Sequence, residues 1–147
     1  MTSSAVLTGR TEIADEVEMT PLFLLSVSLL QATLLTVTGE LDASNTNRLE
    51  EHLAENHPDP RLPLVLDLGG LTFMDSKGLN LIVRLHAQAA THGGGLHLAA
   101  VQPRPARILD ITGVRHVLAI HATVEEALQA AADETRSAPG SPSAGIA

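Results

Sequence analysis

Leu64, Val65, Leu66 and Leu68 form a nearly continuous apolar run, and eleven residues later the chain has changed to a helical pattern. A strand with one wet face would alternate, so a run of this kind suits a strand covered on both faces. Covering both faces takes helices packed on the sheet, which places the chain in the α/β class. From Leu79 onward Ile82, Val83, His86 and Ala90 mark one helical face, and Gly93-Gly94-Gly95 stops that helix.

The flanking segments supply the rest of the architecture. Leu25, Val27 and Leu29 alternate with Ser26 and Ser28, which predicts a strand. Leu35, Val37 and Leu41 alternate with Thr36, Thr38 and Glu40 and predict a second, with a turn at Gln31-Ala32. Leu49 and Leu53, flanked by Arg48, Glu50, Glu51 and Glu55, predict an amphipathic helix capped by Asp42 or Ser44. The segment His57-Pro58-Asp59-Pro60 ends it. Gly69-Gly70 is expected to break regularity. Leu96 to Val101 reads as a strand, Pro103 to Ile111 as a short helix carrying Ile108, Leu109 and Ile111, and Val117 to Ile120 as a last strand. Thr123 to Glu126 is a capping-box pattern opening a helix with Ala127, Leu128 and Ala131 inward. The order β-β-α-β-α-β-α-β-α predicts a mixed sheet of four or five strands with helices mainly on one face. A single α/β domain over residues 19–133 is expected, between a loose arm (1–18) and a disordered Ser-, Ala-, Pro- and Gly-rich tail (134–147).

Charge and composition narrow the function. A formal net charge of −8 argues against a nucleic-acid backbone or an anionic lipid surface as partner. Phe23 and Phe73 are the only aromatic rings, too few to stack bases. The absence of Cys excludes disulfides and thiolate metal sites. Pro21 to Thr38 carries no charge, but Ser26, Ser28, Gln31, Thr33, Thr36 and Thr38 interrupt it, so it reads as strands and not as a membrane span. The first twenty residues lack an apolar core and contain Glu12, Asp15, Glu16 and Glu18, unlike a secretory signal. These readings describe a cytoplasmic protein whose partner is another protein or a small molecule. No cofactor is expected, and no metal at Glu40, Asp42 and Asp75, because nothing around them suggests a pocket. The pairs His92/His97 and His116/His121 lack ligand spacing and read as surface or partly buried residues. Arg104 and Arg107 read as solvated, and His86 as a core neighbour.

The segment Leu71-Thr72-Phe73-Met74-Asp75-Ser76-Lys77-Gly78-Leu79 joins the buried strand to the helix, with Asp75 or Ser76 at the N-cap. Free N–H groups and the positive end of the helix dipole gather at such a position. A phosphate on Ser76 is stabilised there and adds about −1.5 to −2 charge to the surface. Plain capping explains Asp75 and Ser76 equally well on local physics alone.

Phe73-Met74-Asp75-Ser76 followed by Gly78-Leu79 resembles the phosphorylation loop of STAS-domain anti-sigma-factor antagonists, and Gly39-Glu40-Leu41-Asp42 resembles the turn that family places after its second strand. Both motifs stand in the family's order, and the resemblance covers roughly residues 22–131. It implies a protein that is not an enzyme. The unmodified form binds an anti-sigma factor that is also a GHKL-type serine kinase, and so frees a sigma factor. Phosphorylation at Ser76 ends the complex, and a Ser/Thr phosphatase restores it. The implied docking surface is Glu40, Asp42, Asp75, Ser76, Lys77 and Gly78. The family usually has Ser or Thr after the phosphorylated Ser, whereas this chain has Lys77, its only Lys. Other readings of the same domain are a STAS scaffold of another signalling assembly and a nucleotide or small-molecule sensor.

Overall fold

The computed structural model describes residues 20–137. The expected N-terminal arm and the end of the expected tail lie outside them.

Ten elements follow one another: β1 (Leu22–Ser28), β2 (Thr33–Leu41), α1 (Thr46–Asn56), β3 (Pro63–Met74), α2 (Ser76–His92), β4 (Gly95–Ala99), α3 (Pro103–Thr112), a 3-10 turn (Val114–His116), β5 (Ala119–His121) and α4 (Val124–Ser137). The five strands make one sheet in the order β1-β2-β3-β4-β5. β1 is antiparallel to β2, and the other neighbours are parallel. The mixed α/β sheet expected from the sequence is the one observed.

β3 is the centre of the molecule. Leu64, Leu66 and Leu68 face the larger core with Leu35 and Val37 of β2, Leu98 of β4, Leu49 and Leu53 of α1, Leu81 and Ile82 of α2 and Leu109 of α3. Val65 faces the opposite way into a smaller core with Ala99 and with Ala127 and Ala131 of α4. Each fully buried Leu contributes about 1.5–3 kcal/mol relative to exposure. Alanine at the α4 contacts lets that helix lie close to the sheet.

Several local expectations are corrected. Gly69-Gly70 does break regularity as expected, since the β2–β3 register slips between the Thr36/Asp67 and Thr38/Gly70 pairs, but β3 continues past it to Met74. β2 runs alongside, and a Cβ on Gly70 would fall 2.8 Å from Thr38 Oγ1, so glycine serves close approach there. β1 ends at Ser28, and Leu29 enters the turn, where its N–H donates to Ala32 O at 2.8 Å. The inward face of β1 is Leu22 and Leu24, while Leu25, Val27 and Leu29 point to solvent. On α2, Ala90 is exposed, and Leu81, Leu85 and Ala89 belong to the packed face. Ile111 and Val117 are exposed, and β5 begins at Ala119. α4 continues past residue 134 to Ser137, beyond the point where the tail was expected to begin.

One of those extra helical residues matters. His97 is buried, with Nδ1 3.0 Å from His121 Nε2 and Nε2 3.0 Å from Glu134 Oε1. A carboxylate only accepts, so Nε2–H of His97 donates to Glu134, and Nδ1 accepts from His121 Nε2–H. The chain links β4, β5 and α4. The sequence reading of these histidines as surface or partly buried holds for His121 and fails for His97, which is buried because the residues it meets come from different elements.

Burial, then the neighbouring His97, lowers the His121 pKa below the ordinary 6.5, against the opposing charges of Glu126 and Glu134. Burial likewise lowers that of His57, whose Nδ1 lies 2.8 Å from Thr33 Oγ1. A histidine with a lowered folded-state pKa binds its proton more readily in the unfolded chain. Its stabilisation is present above pH 6.5 and is lost as pH falls from there toward the folded pKa. The thermal midpoint therefore falls on acidification from neutrality. In His121→Gln the slope of midpoint against pH is shallower; an unchanged slope in calorimetric scans contradicts the assignment.

Candidate functional site

The parallel pairing of β2 and β3 persists to their last residues, Leu41 beside Met74. The loops that follow therefore leave the sheet side by side. Asp75 N–H donates to Leu41 O at 3.1 Å and locks the second loop to the first.

Asp75, not Ser76, is the N-cap of α2. Its backbone is extended, and Oδ1 accepts from Gly78 N–H at 3.0 Å. Its Oδ2 accepts from Ala43 N–H at 3.2 Å, in the loop after β2. One carboxylate thus caps a helix and ties down the neighbouring loop. Ser76 is the first helical residue and is exposed, as is Lys77. Gly78 is buried: a Cβ there would fall 2.8 Å from Met74 Cγ and 2.9 Å from Leu41 O. The need for glycine is close packing of the first turn of α2 on the ends of both strands.

The first loop is built around Asp42. Its Oδ2 accepts from Thr20 Oγ1 at 2.6 Å, and its Oδ1 accepts from Ser44 N–H at 2.9 Å and Ser44 Oγ at 2.7 Å. The Thr20 and Ser44 hydroxyls hold the Asp42 carboxyl below the usual range, outweighing the rise caused by burial. Glu40 is exposed, and its N–H donates to Pro21 O at 3.0 Å. Gly39 has φ +110°, and a Cβ there would lie 2.4 Å from Pro21 O, so the turn requires glycine on both counts.

Asn45 holds this loop together, and the sequence did not single it out. It is fully buried, Oδ1 accepts from Asp42 N–H at 3.0 Å, and Nδ2 donates to Thr20 O and Glu40 O at 2.9 Å each. It also occupies the N-cap position of α1 without a side-chain capping bond, so neither Asp42 nor Ser44 caps that helix. A polar residue just before an amphipathic run signals a cap; here its side chain turns back to the preceding strand. Thr20 was likewise missed, since nothing in a single threonine announces a long-range partner.

The six expected docking residues therefore come from the end of β2 and the loop after it and from the cap and first turn of α2, joined by hydrogen bonds, with Glu40, Ser76 and Lys77 exposed. Beside them Arg104 of α3 lies over the Phe73 ring, 5.4 Å from its centroid, and Gln102 Nε2 donates to Gly69 O. Arg104 is thus partnered with an aromatic ring. A groove of about 290 Å³ runs elsewhere, between α1 and α2, lined by Leu53, Leu81, Leu85 and Leu96 with the Glu50–Arg84 ion pair at its rim. No residue of the two loops lines it. Among the described residues no group of three or more His, Asp or Glu side chains is arranged to hold a metal ion, and no helix is long and apolar enough to cross a membrane.

The model of the STAS domain matches residues 27–127. An anti-sigma-B factor antagonist of Bacillus subtilis (strain 168) is 32% identical over 98 residues, spanning 65% of this chain and 86% of the relative. An anti-sigma factor antagonist from Mycobacterium paratuberculosis has the same fold, with a TM-score of 0.68 at 24% identity, over 76% of this chain and 94% of the other. The Bacillus cell fate determinant SpoIIAA, in its phosphorylated form, aligns with a TM-score of 0.57 at 19% identity, over 74% of this chain and 97% of that one.

Removing the Asn45 side chain leaves Asp42 N–H, Thr20 O and Glu40 O without their partner. Asn45→Ala is expected to cost about 1–3 kcal/mol, read as a lowered urea midpoint at unchanged slope. Gly78→Ala overpacks the start of α2 and is expected to cost a similar amount, about 1–3 kcal/mol. A Gly78→Ala midpoint equal to the parent's contradicts the close packing.

Proposed function

From the premise that this chain belongs to the STAS domain family, we propose that it is an anti-sigma-factor antagonist switched by phosphorylation of Ser76. The observation that carries this reading is the double role of Asp75: one oxygen caps the helix that Ser76 begins, and the other holds the adjoining loop. A charge placed on Ser76 is felt by both loops at once.

In the unmodified state the exposed residues Glu40, Ser76 and Lys77, framed by Asp42, Asp75 and Gly78, meet the anti-sigma factor and displace its sigma factor. That partner is also a GHKL-type serine kinase and transfers phosphate to the Ser76 hydroxyl. The new group draws on the free N–H groups of the first turn of α2 and the positive end of its dipole. It also brings about −1.5 to −2 charge next to the Asp75 carboxylate, in the middle of the docking surface. Repulsion from Asp75 and the desolvation cost of a buried phosphate then disfavour the complex. A Ser/Thr phosphatase returns the hydroxyl. The chain is a phosphoryl acceptor with no reaction of its own, acts without a cofactor, and works in the cytoplasm. Lys77, beside the acceptor, pairs with the phosphate and softens its effect.

The test is incubation with ATP and a GHKL-type anti-sigma kinase from the same genome, read by peptide mass spectrometry. One phosphate on Ser76 is the expected result. Ser76→Ala retains binding to that kinase and is no longer released by ATP, whereas Ser76→Asp binds at least tenfold more weakly, a change of about 1.4 kcal/mol. Equal binding by all three proteins removes Ser76 from the switch. Lys77→Ser is expected to release more completely on phosphorylation; identical release makes Lys77 incidental.

A further inference from the structure

Seven large hydrophobic side chains are exposed among the described residues, and five of them lie on β1 and the turn that follows it. Phe23, Leu25 and Val27 alternate along β1, and Leu29 and Leu30 extend the row into the turn. Phe23 and Leu25 are each about two-thirds exposed, at 65% and 66%, and Leu30 is 95% exposed.

The sheet explains why this face is bare. Alternation sends Leu22 and Leu24 toward α1 and the larger core and sends Phe23, Leu25 and Val27 to the side occupied by α4. α4 touches β3, β4 and β5, and no other element among the described residues covers this side of β1. The cross-strand neighbours are Thr38, Thr36 and Leu34, so the bare area continues onto β2 without a charge. β1 is also an edge strand, with one side unpaired in the sheet.

We propose that this face is a homodimer interface, in which the outer face of β1 packs on the same face of a second copy across a two-fold axis. Charge selects the occupant. A chain of net charge −8 repels its own copy over most of its surface. The interval Pro21–Thr38 has no charged residue, and on this face Asp67 of β3 lies beyond Thr36, so repulsion between two copies is weakest along β1. The patch is a single alternating row, which matches itself under two-fold symmetry as a closed dimer requires. Geometry agrees: α4 forms a layer over only half the sheet, and facing sheets pack about 10 Å apart, close to the depth of a helix layer. The five side chains expose roughly 500 Å² of apolar surface, high for a monomer, and two such faces bury about 1,000 Å², near the lower limit of specific interfaces. A reversible dimer of micromolar dissociation constant is the expected strength.

This inference is independent of the Ser76 switch. Sedimentation velocity and light scattering of the full chain, over a roughly hundredfold concentration range, read it directly. The expected result is a shift from the 15.4 kDa monomer to twice that mass. Leu25→Glu, an exposed position, is expected to weaken the dimer at least a hundredfold while the thermal midpoint of the monomer is kept. Val27→Lys, of opposite charge, should do the same, and mixing the two variants should restore a heterodimer. A full chain that stays monomeric throughout overturns the proposal, as does a dimer that both variants leave intact. If a chain lacking residues 1–19 dimerises through Leu25 while the full chain does not, the face belongs to the chain's own N-terminal segment and the proposal falls.

Discussion

The bond from Asp75 N–H to Leu41 O is where the fold becomes a site. It extends the β2–β3 ladder by one step past the end of the sheet, and it exists only because those strands run parallel and stop together. Parallel strands send their exits to one edge, whereas an antiparallel pair would have separated the two loops by the length of a strand. Everything outward of that bond depends on it. Asp75 can reach Ala43 because the strand ends adjoin, and α2 starts against Leu41 because Gly78 leaves room. The core beneath, with β3 buried on both faces, supplies the stiffness the loops lack.

Much of this architecture was legible in the residues. The nearly continuous apolar run of β3, the cap and glycine stops of α2 and the Thr123 cap of α4 all rest on short-range chemistry, and each appears as expected: Glu126 N–H, for example, donates to Thr123 Oγ1 at 3.1 Å. What could not be read depended on partners distant in sequence. The alternation in β1 gave the strand correctly and the wrong wet face, because both of its faces are rich in leucine and only the placement of α4 decides which is covered. That β3 continues past the irregularity at Gly69-Gly70 shows only with β2 alongside, where Thr38 needs the space. His97 and His121 are 24 positions apart and meet only once β4 and β5 pair.

The candidate site divides in the same way. Asp42, Asp75, Ser76 and Gly78 were found because a motif places them, and the geometry gives Asp42, Asp75 and Gly78 mechanical work. Asn45 and Thr20 do comparable work without a signal, since a buried amide that bonds backbone on three sides looks in sequence like any helix cap. A net charge of −8 argues against a nucleic-acid backbone as partner and leaves another protein or a small molecule.

The loop frame is held largely through backbone atoms: Asp42 on Ser44 N–H, Asn45 on two carbonyls, Asp75 on the N–H groups of Ala43 and Gly78. The outermost side chains, Glu40, Ser76 and Lys77, contribute nothing to those bonds. Shape and identity are thereby separated. A genome that duplicates such a protein can rewrite the outward residues of each copy without rebuilding its loops. Several related proteins can then share one cell with little cross-talk, and Lys77 beside Ser76 is an outward residue of that kind.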